Sequence, residues 1–175
     1  FPNLAAGDYV LVHVKPSTDT NSVRTKLQEE LDAVYHAYAE EFYGEDTETV
    51  KELYTRTSET IADSQLLGDA YSAKEDAVVQ LKTLQKQHEK VNENFLKTVR
   101  WYLDRLPADE NPEKTFTKAY KQRFEGLQEA YTAATSYQRK LLDGQQEAQY
   151  RALLKVYGTD GSGLEEQKLP TVKVT

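Results

Sequence analysis

Between Ser22 and Gly158 the apolar residues recur at steps of three and four, the spacing of one face of an α-helix. The first stripe is Val23, Leu27, Leu31, Val34, Tyr35, Tyr38 and Phe42. It follows a run of N-cap residues, Ser17 to Ser22, and Gly44 is placed to end it in the left-handed conformation. The second starts at Asp46-Thr47-Glu48 and runs through Val50, Leu53, Tyr54, Thr57, Ile61, Ser64, Leu67, Tyr71, Val78, Leu81, Leu84, His88, Val91, Phe95, Val99, Tyr102 and Leu106, before Pro107. Unbroken, it predicts a helix of about 60 residues and about 90 Å. Gly68-Asp69 is its candidate interruption; the phase carries from Leu67 to Tyr71, which favours continuity or a kink.

The third stripe opens at Asn111-Pro112-Glu113, a cap followed by proline at the first helical position. It continues through Phe116, Tyr120, Phe124, Leu127, Tyr131, Ala134, Tyr137, Leu141, Ala148, Ala152, Leu153 and Val156 to Gly158, with Asp143-Gly144 as a second candidate break. The expected fold is all-α: an elongated antiparallel bundle of three long helices over residues 19–158, with helix 2 kinked or split near Gly68. Step lengths averaging about 3.5 favour coiled-coil-like packing. Residues 1–18 form an extended N-terminal arm in which Tyr9 to Val14 reads as a strand. Residues 159–175 form a flexible C-terminal tail, and Thr171 to Val174 is the one segment able to pair with the arm.

Composition narrows function by exclusion. The chain has 175 residues and a net charge of −7, from 22 basic and 29 acidic residues. That balance opposes non-specific binding to nucleic acid or to anionic membranes. With no cysteine there is no disulfide framework, thiolate zinc site or cysteine nucleophile. No apolar run reaches the roughly 20 residues that span a bilayer. The chain contains no Met and starts at Phe1. The expectation is a processed, secreted or extracellular protein, with a cut inside a longer chain and a cytoplasmic setting as the alternatives.

Catalytic and metal patterns are weak. His36 and Glu40 are one helical turn apart, but neither His36 nor His88 follows a Glu by three residues, as di-iron bundles require. His88 falls on the second stripe and reads as a core histidine, with a pH switch as the functional alternative. The glycine run Gly158 to Gly163 follows a helix and lacks the Lys-Ser/Thr ending of a phosphate loop. Adjacent acids such as Glu29-Glu30 and Glu40-Glu41 lie about 100° apart on a helix and read as solvated faces, not catalytic pairs. No catalytic residue, metal ligand or cofactor is expected.

The 12 tyrosines are the unusual feature. Buried phenols need a hydrogen-bond partner, whereas Tyr, Trp and Arg anchor interfaces. Two clusters are candidate contact patches: Tyr35, Tyr38 and Tyr43 with Phe42, and Arg100, Trp101, Tyr102 and Arg105. The expected function is non-enzymatic binding of a protein partner through a Tyr/Trp-rich helix face. The alternative is a carrier of lipid or another small hydrophobic ligand. A structural coiled coil that oligomerises through apolar positions is a third reading.

Overall fold

The structure, a computed structural model, describes residues 16–108 and 117–158. Among them it is all-helical, with no strand. Three long helices are replaced by six: α1 (Pro16–Tyr35), α2 (Thr47–Asp63), α3 (Leu67–Leu103), α4 (Lys118–Ala133), α5 (Ser136–Lys140) and α6 (Gly144–Tyr157). A 3-10 segment, Glu40–Asp46, separates α1 from α2. The chain divides into two compact units, Phe1–Lys86 and Gln87–Thr175. The expected strand at Tyr9 to Val14, the helix start at Asn111 and the tail at 159–175 lie outside the described residues. Residues 16–18, expected in the arm, are helical.

Each break has a local cause. The first stripe was expected to continue to Phe42, but α1 stops at Tyr35. The chain then turns, and Phe42 and Tyr43 are buried from the 3-10 segment. Gly44 sits there at φ 55°, a conformation that L side chains rarely adopt. The interruption expected at Gly68 falls earlier, because Ser64 is extended and Gly68 lies inside the first turn of α3. The third stripe is cut twice. Thr135 accepts from the Gln138 amide while Gln138 reaches back to the Thr135 N–H, and Asp143 and Gln146 repeat the pattern. Both are reciprocal capping boxes that start new helices. Thr117, extended, caps α4 by accepting from the Tyr120 N–H.

Helix ends leave backbone carbonyls without intrahelical partners. In unit 1 the Arg24 guanidinium reaches the end of α2, donating to the Ile61 carbonyl at 2.5 Å and the Ser64 carbonyl at 2.6 Å. Gln85, buried on α3, donates to the Val34 carbonyl at the end of α1 (2.8 Å). The core of this unit holds Leu27, Leu31, Tyr35, Phe42, Tyr43, Val50, Leu53 and Ile61. From α3, Ala70, Ala77 and Leu81 are buried, together with Lys74, whose ammonium bridges Glu30 (2.9 Å) and Glu75 (2.6 Å). Tyr71, expected in the stripe, is instead 48% exposed.

In unit 2, Phe95, Val99, Leu103 and Leu106 pack with Phe124 and Leu127 of α4 and with Leu142, Tyr150, Leu153, Val156 and Tyr157. Val91, also expected in the stripe, is 52% exposed. Gln149 donates to the Leu103 carbonyl at the end of α3 (3.1 Å). Arg139 closes α4 through the Tyr131 (3.0 Å) and Thr132 (2.9 Å) carbonyls. Gly126 lets the Tyr102 ring lie against α4: a Cβ there would meet the Tyr102 hydroxyl oxygen at 2.5 Å and the ring at 2.7 Å.

Arg24→Met is expected to cost about 1–3 kcal/mol, the range for stranding buried acceptors, measured by urea unfolding. The exposed Lys82→Met should stay within about 0.5 kcal/mol. Gly126→Ala should lose about 1–3 kcal/mol to overpacking despite the helix-propensity gain of about 1 kcal/mol. Tyr102→Leu in the same chain should recover part of that loss, since the clash is with the phenol ring.

Candidate functional site

The structure separates the two aromatic clusters. In unit 1, a cavity of about 290 Å³ opens where α1 turns into the 3-10 segment and α2. Its lining includes Tyr35, His36, Tyr38, Glu40, Tyr43 and Lys51. All three tyrosines expected to form a patch therefore meet in one place. They meet largely as core. Tyr43 is 1% exposed, and its hydroxyl accepts from Gln85 Nε2 (2.9 Å). The Tyr35 ring stacks on Tyr54 at 4.0 Å, and Tyr38 stacks on Phe42 at 3.9 Å. Tyr54 and Phe42 are not among the lining residues, so one face of each stacked pair is closed by the fold.

The polar groups of this cavity bind one another. Glu40 accepts from the Tyr35 hydroxyl (3.2 Å) and pairs with Lys51 (3.1 Å), which also reaches Glu48 (3.4 Å). The hydrogen bond from Lys51 lowers the Glu40 pKa below the ordinary carboxylate value, and the same contact raises that of Lys51. Burial pushes the Tyr35 phenol up, helped by Glu40. Burial also raises Tyr43, while its bond to Gln85 works against that shift. Tyr54 is raised mainly by its bond to Asp32 (2.7 Å). In unit 2 burial raises Tyr131, whose hydroxyl donates to Glu147 (2.9 Å). Among the described residues no group of three His, Asp or Glu side chains is arranged to hold a metal ion. His36 and Glu40 do not share a helix, because α1 ends at Tyr35, before both, and Glu40 opens the 3-10 segment.

The second cluster is a surface. Trp101, near the end of α3, is 49% exposed. The Arg105 guanidinium lies over its ring at 4.3 Å and donates through Nη1 to the Trp101 carbonyl (3.0 Å). Tyr102 meets the indole edge-on at 5.0 Å. Arg123 of α4 donates through Nη1 to the Arg105 carbonyl (3.0 Å) and lies 5.8 Å over the Tyr120 ring. Trp101, Arg105, Arg123 and Tyr120 thus form one connected strip. Arg100 is exposed, but lies about 100° around α3 from its neighbour Trp101, so it is not part of that strip. Tyr102 is half-buried against Gly126 and supports the strip from below.

Compared with protein-family models, with curated proteins and with solved structures, the chain matches none of them. The fold and site therefore carry the functional reading unaided. Sequence inspection missed Arg123 and Tyr120 as site residues, since they join the strip from a different helix, α4. The i, i+3 pairing of an aromatic with an arginine on an exposed helix face was the signal available for them.

The phenols of Tyr35, Tyr43, Tyr54 and Tyr131 are displaced upward, and alkaline stability depends on them. A raised folded pKa gives stability that is complete below the ordinary value near 10 and is lost as pH rises through the folded value. In a titration followed at 295 nm, Tyr35, Tyr43, Tyr54 and Tyr131 are expected to ionise above the ordinary phenol value. Their ionisation should coincide with loss of helical ellipticity. A single transition near pH 10 with helicity intact would contradict this.

Proposed function

We propose that the chain is a non-enzymatic interaction protein that binds a protein partner through the surface around Trp101. One observation carries the reading: the chain's single Trp is half-exposed, on a helix, and held on one side by Arg105 and on its edge by Tyr102. A large exposed aromatic costs solvation, and Trp and Arg are the residue types that dominate interface energies. Because the ring is already ordered by its neighbours, little side-chain entropy is lost on docking. Tyr102 and Arg100 belong to the reading as a support and as a flanking charge. Tyr35, Tyr38 and Tyr43 belong to the unit 1 cavity instead.

The cavity supports a second reading, in which a small ligand binds among those three tyrosines. Its volume of about 290 Å³ lies at the lower end of small-molecule sites. Its lining mixes aromatic rings with Glu40, Lys51, His36 and Thr47, which suits a small polar aromatic molecule better than a lipid chain. With Glu40 and Lys51 already paired to each other, a ligand would have to displace that contact. Protein binding at Trp101 is therefore the leading reading.

The test is affinity capture with the purified chain, with Trp101→Ala and Leu141→Ala as parallel baits. Leu141 is the control because it is also a partly exposed apolar residue. A protein captured by the unaltered chain and by Leu141→Ala, and reduced tenfold or more by Trp101→Ala, is the expected result. The same proteins on all three baits would remove the reading. Tyr102→Ala is a poor probe, since it also opens the contact with Gly126.

A further inference from the structure

We infer that the strip of Trp101, Arg105, Arg123 and Tyr120 recognises an acidic peptide segment of a protein partner. The inference rests on the protein-binding reading above and names the chemistry of the partner.

Three arginines of unit 2 lie over aromatic rings, and they differ in what their donors do. Arg139, over Tyr131 at 5.2 Å, uses Nε and Nη2 to close the end of α4. Arg105 and Arg123 each use only Nη1, on the Trp101 and Arg105 carbonyls. Among the described residues neither has an ion pair, and the acids next to them in sequence, Asp104 and Glu125, do not reach them. Among the described residues each guanidinium therefore keeps Nε–H and Nη2–H donors unused at the surface. A guanidinium offers its donors in a planar fork that fits a carboxylate in bidentate fashion.

The setting strengthens this. Cation–π contact of Arg105 with Trp101 at 4.3 Å, and a weaker one of Arg123 with Tyr120 at 5.8 Å, restrain the two guanidinium groups before a partner arrives. The link from Arg123 to the Arg105 carbonyl ties α4 to the end of α3, so one guanidinium is held at the backbone of the residue that carries the other. The chain as a whole carries −7, and a pair of unneutralised arginines is a local reversal of that sign. An acidic segment is repelled by most of the surface and attracted here, which supplies orientation as well as affinity. The apolar ring of Trp101 adds a contact for a side chain next to the acids.

Trp101 is the only Trp, so its emission reports on the strip directly. The probe is a capped peptide of sequence Glu-Glu-Leu-Glu-Glu, with the Gln and Lys versions as controls. The expected result is a saturable change in Trp emission with the Glu peptide only. Half-molar salt should weaken it, since screening acts on exposed charges. Arg105→Gln with Arg123→Gln should weaken binding tenfold or more, while Arg105→Lys with Arg123→Lys should recover part of it. The single Gln variants, checked for helicity by circular dichroism, decide the matter if the double variant misfolds. An equal response to the Gln peptide, or no loss on removing the arginines, would overturn the inference. The double Gln variant is also used as bait in the affinity capture. A partner that it retains but Trp101→Ala loses leaves the Trp101 reading standing and removes acidic recognition. A partner indifferent to both removes the reading itself.

Discussion

The described helices depend on how their C-terminal carbonyls are satisfied once the helix stops. A helix end inside a folded unit strands acceptors that water cannot reach, and each must find a donor. Here the donors are side chains from elsewhere in the same unit. Gln85 serves Val34, Arg24 serves Ile61 and Ser64, Gln149 serves Leu103, and Arg139 serves Tyr131 and Thr132. In α1, α2 and α4 the last turn holds no basic residue of its own to complement the helix dipole. At the ends of α2 and α4 the cation comes from another helix instead. Breaking the chain into shorter helices is tolerable because these contacts exist.

That arrangement frees the turns to place aromatic side chains. Stopping α1 at Tyr35 brings Phe42 and Tyr43 into the core of unit 1 and opens the tyrosine-lined cavity beside them. Stopping α3 just beyond Tyr102 leaves Trp101 at a helix end, where Arg105 can fold back over the indole and Arg123 can reach the Arg105 carbonyl. The two clusters have opposite characters for a simple reason. In the cavity Tyr35, Glu40, Tyr43, Thr47 and Lys51 have protein partners. On the Trp101 strip the guanidinium forks keep donors without one among the described residues.

The helical class and much of the buried set were legible in the chain. Leu27, Leu31, Val50, Leu53, Ile61, Leu81, Phe95, Val99, Phe124, Leu127, Leu153 and Val156 were expected on apolar stripes and are buried. The error concerned continuity and, along α3, which residues are covered. A stripe that keeps its phase across Ser64 looks like one helix, although Ser64 is extended. Tyr71 and Val91 looked like core by hydropathy, while Ala70, Lys74 and Ala77 are the buried ones. Small alanines permit close packing, and a lysine stem can be covered if its ammonium reaches carboxylates, as Lys74 does with Glu30 and Glu75. The expected break at Asp143-Gly144 is real, whereas the capping box Thr135 to Gln138, an equally local signal, went unread and cuts the stripe a second time.

What the sequence determined alone is therefore local: helix as the only regular structure among the described residues, the break at Asp143-Gly144, the glycine at φ 55°, and a Trp flanked by arginines. Tertiary structure decided where the first helices end and which aromatic cluster faces water. The physical reason is distance along the chain. Ser64 is capped by a residue 40 positions away and Val34 by one 51 positions away. No periodicity within a single stripe encodes a donor that arrives from another helix. The same holds for the strip at Trp101, where Arg123 lies 18 residues from the carbonyl that it holds.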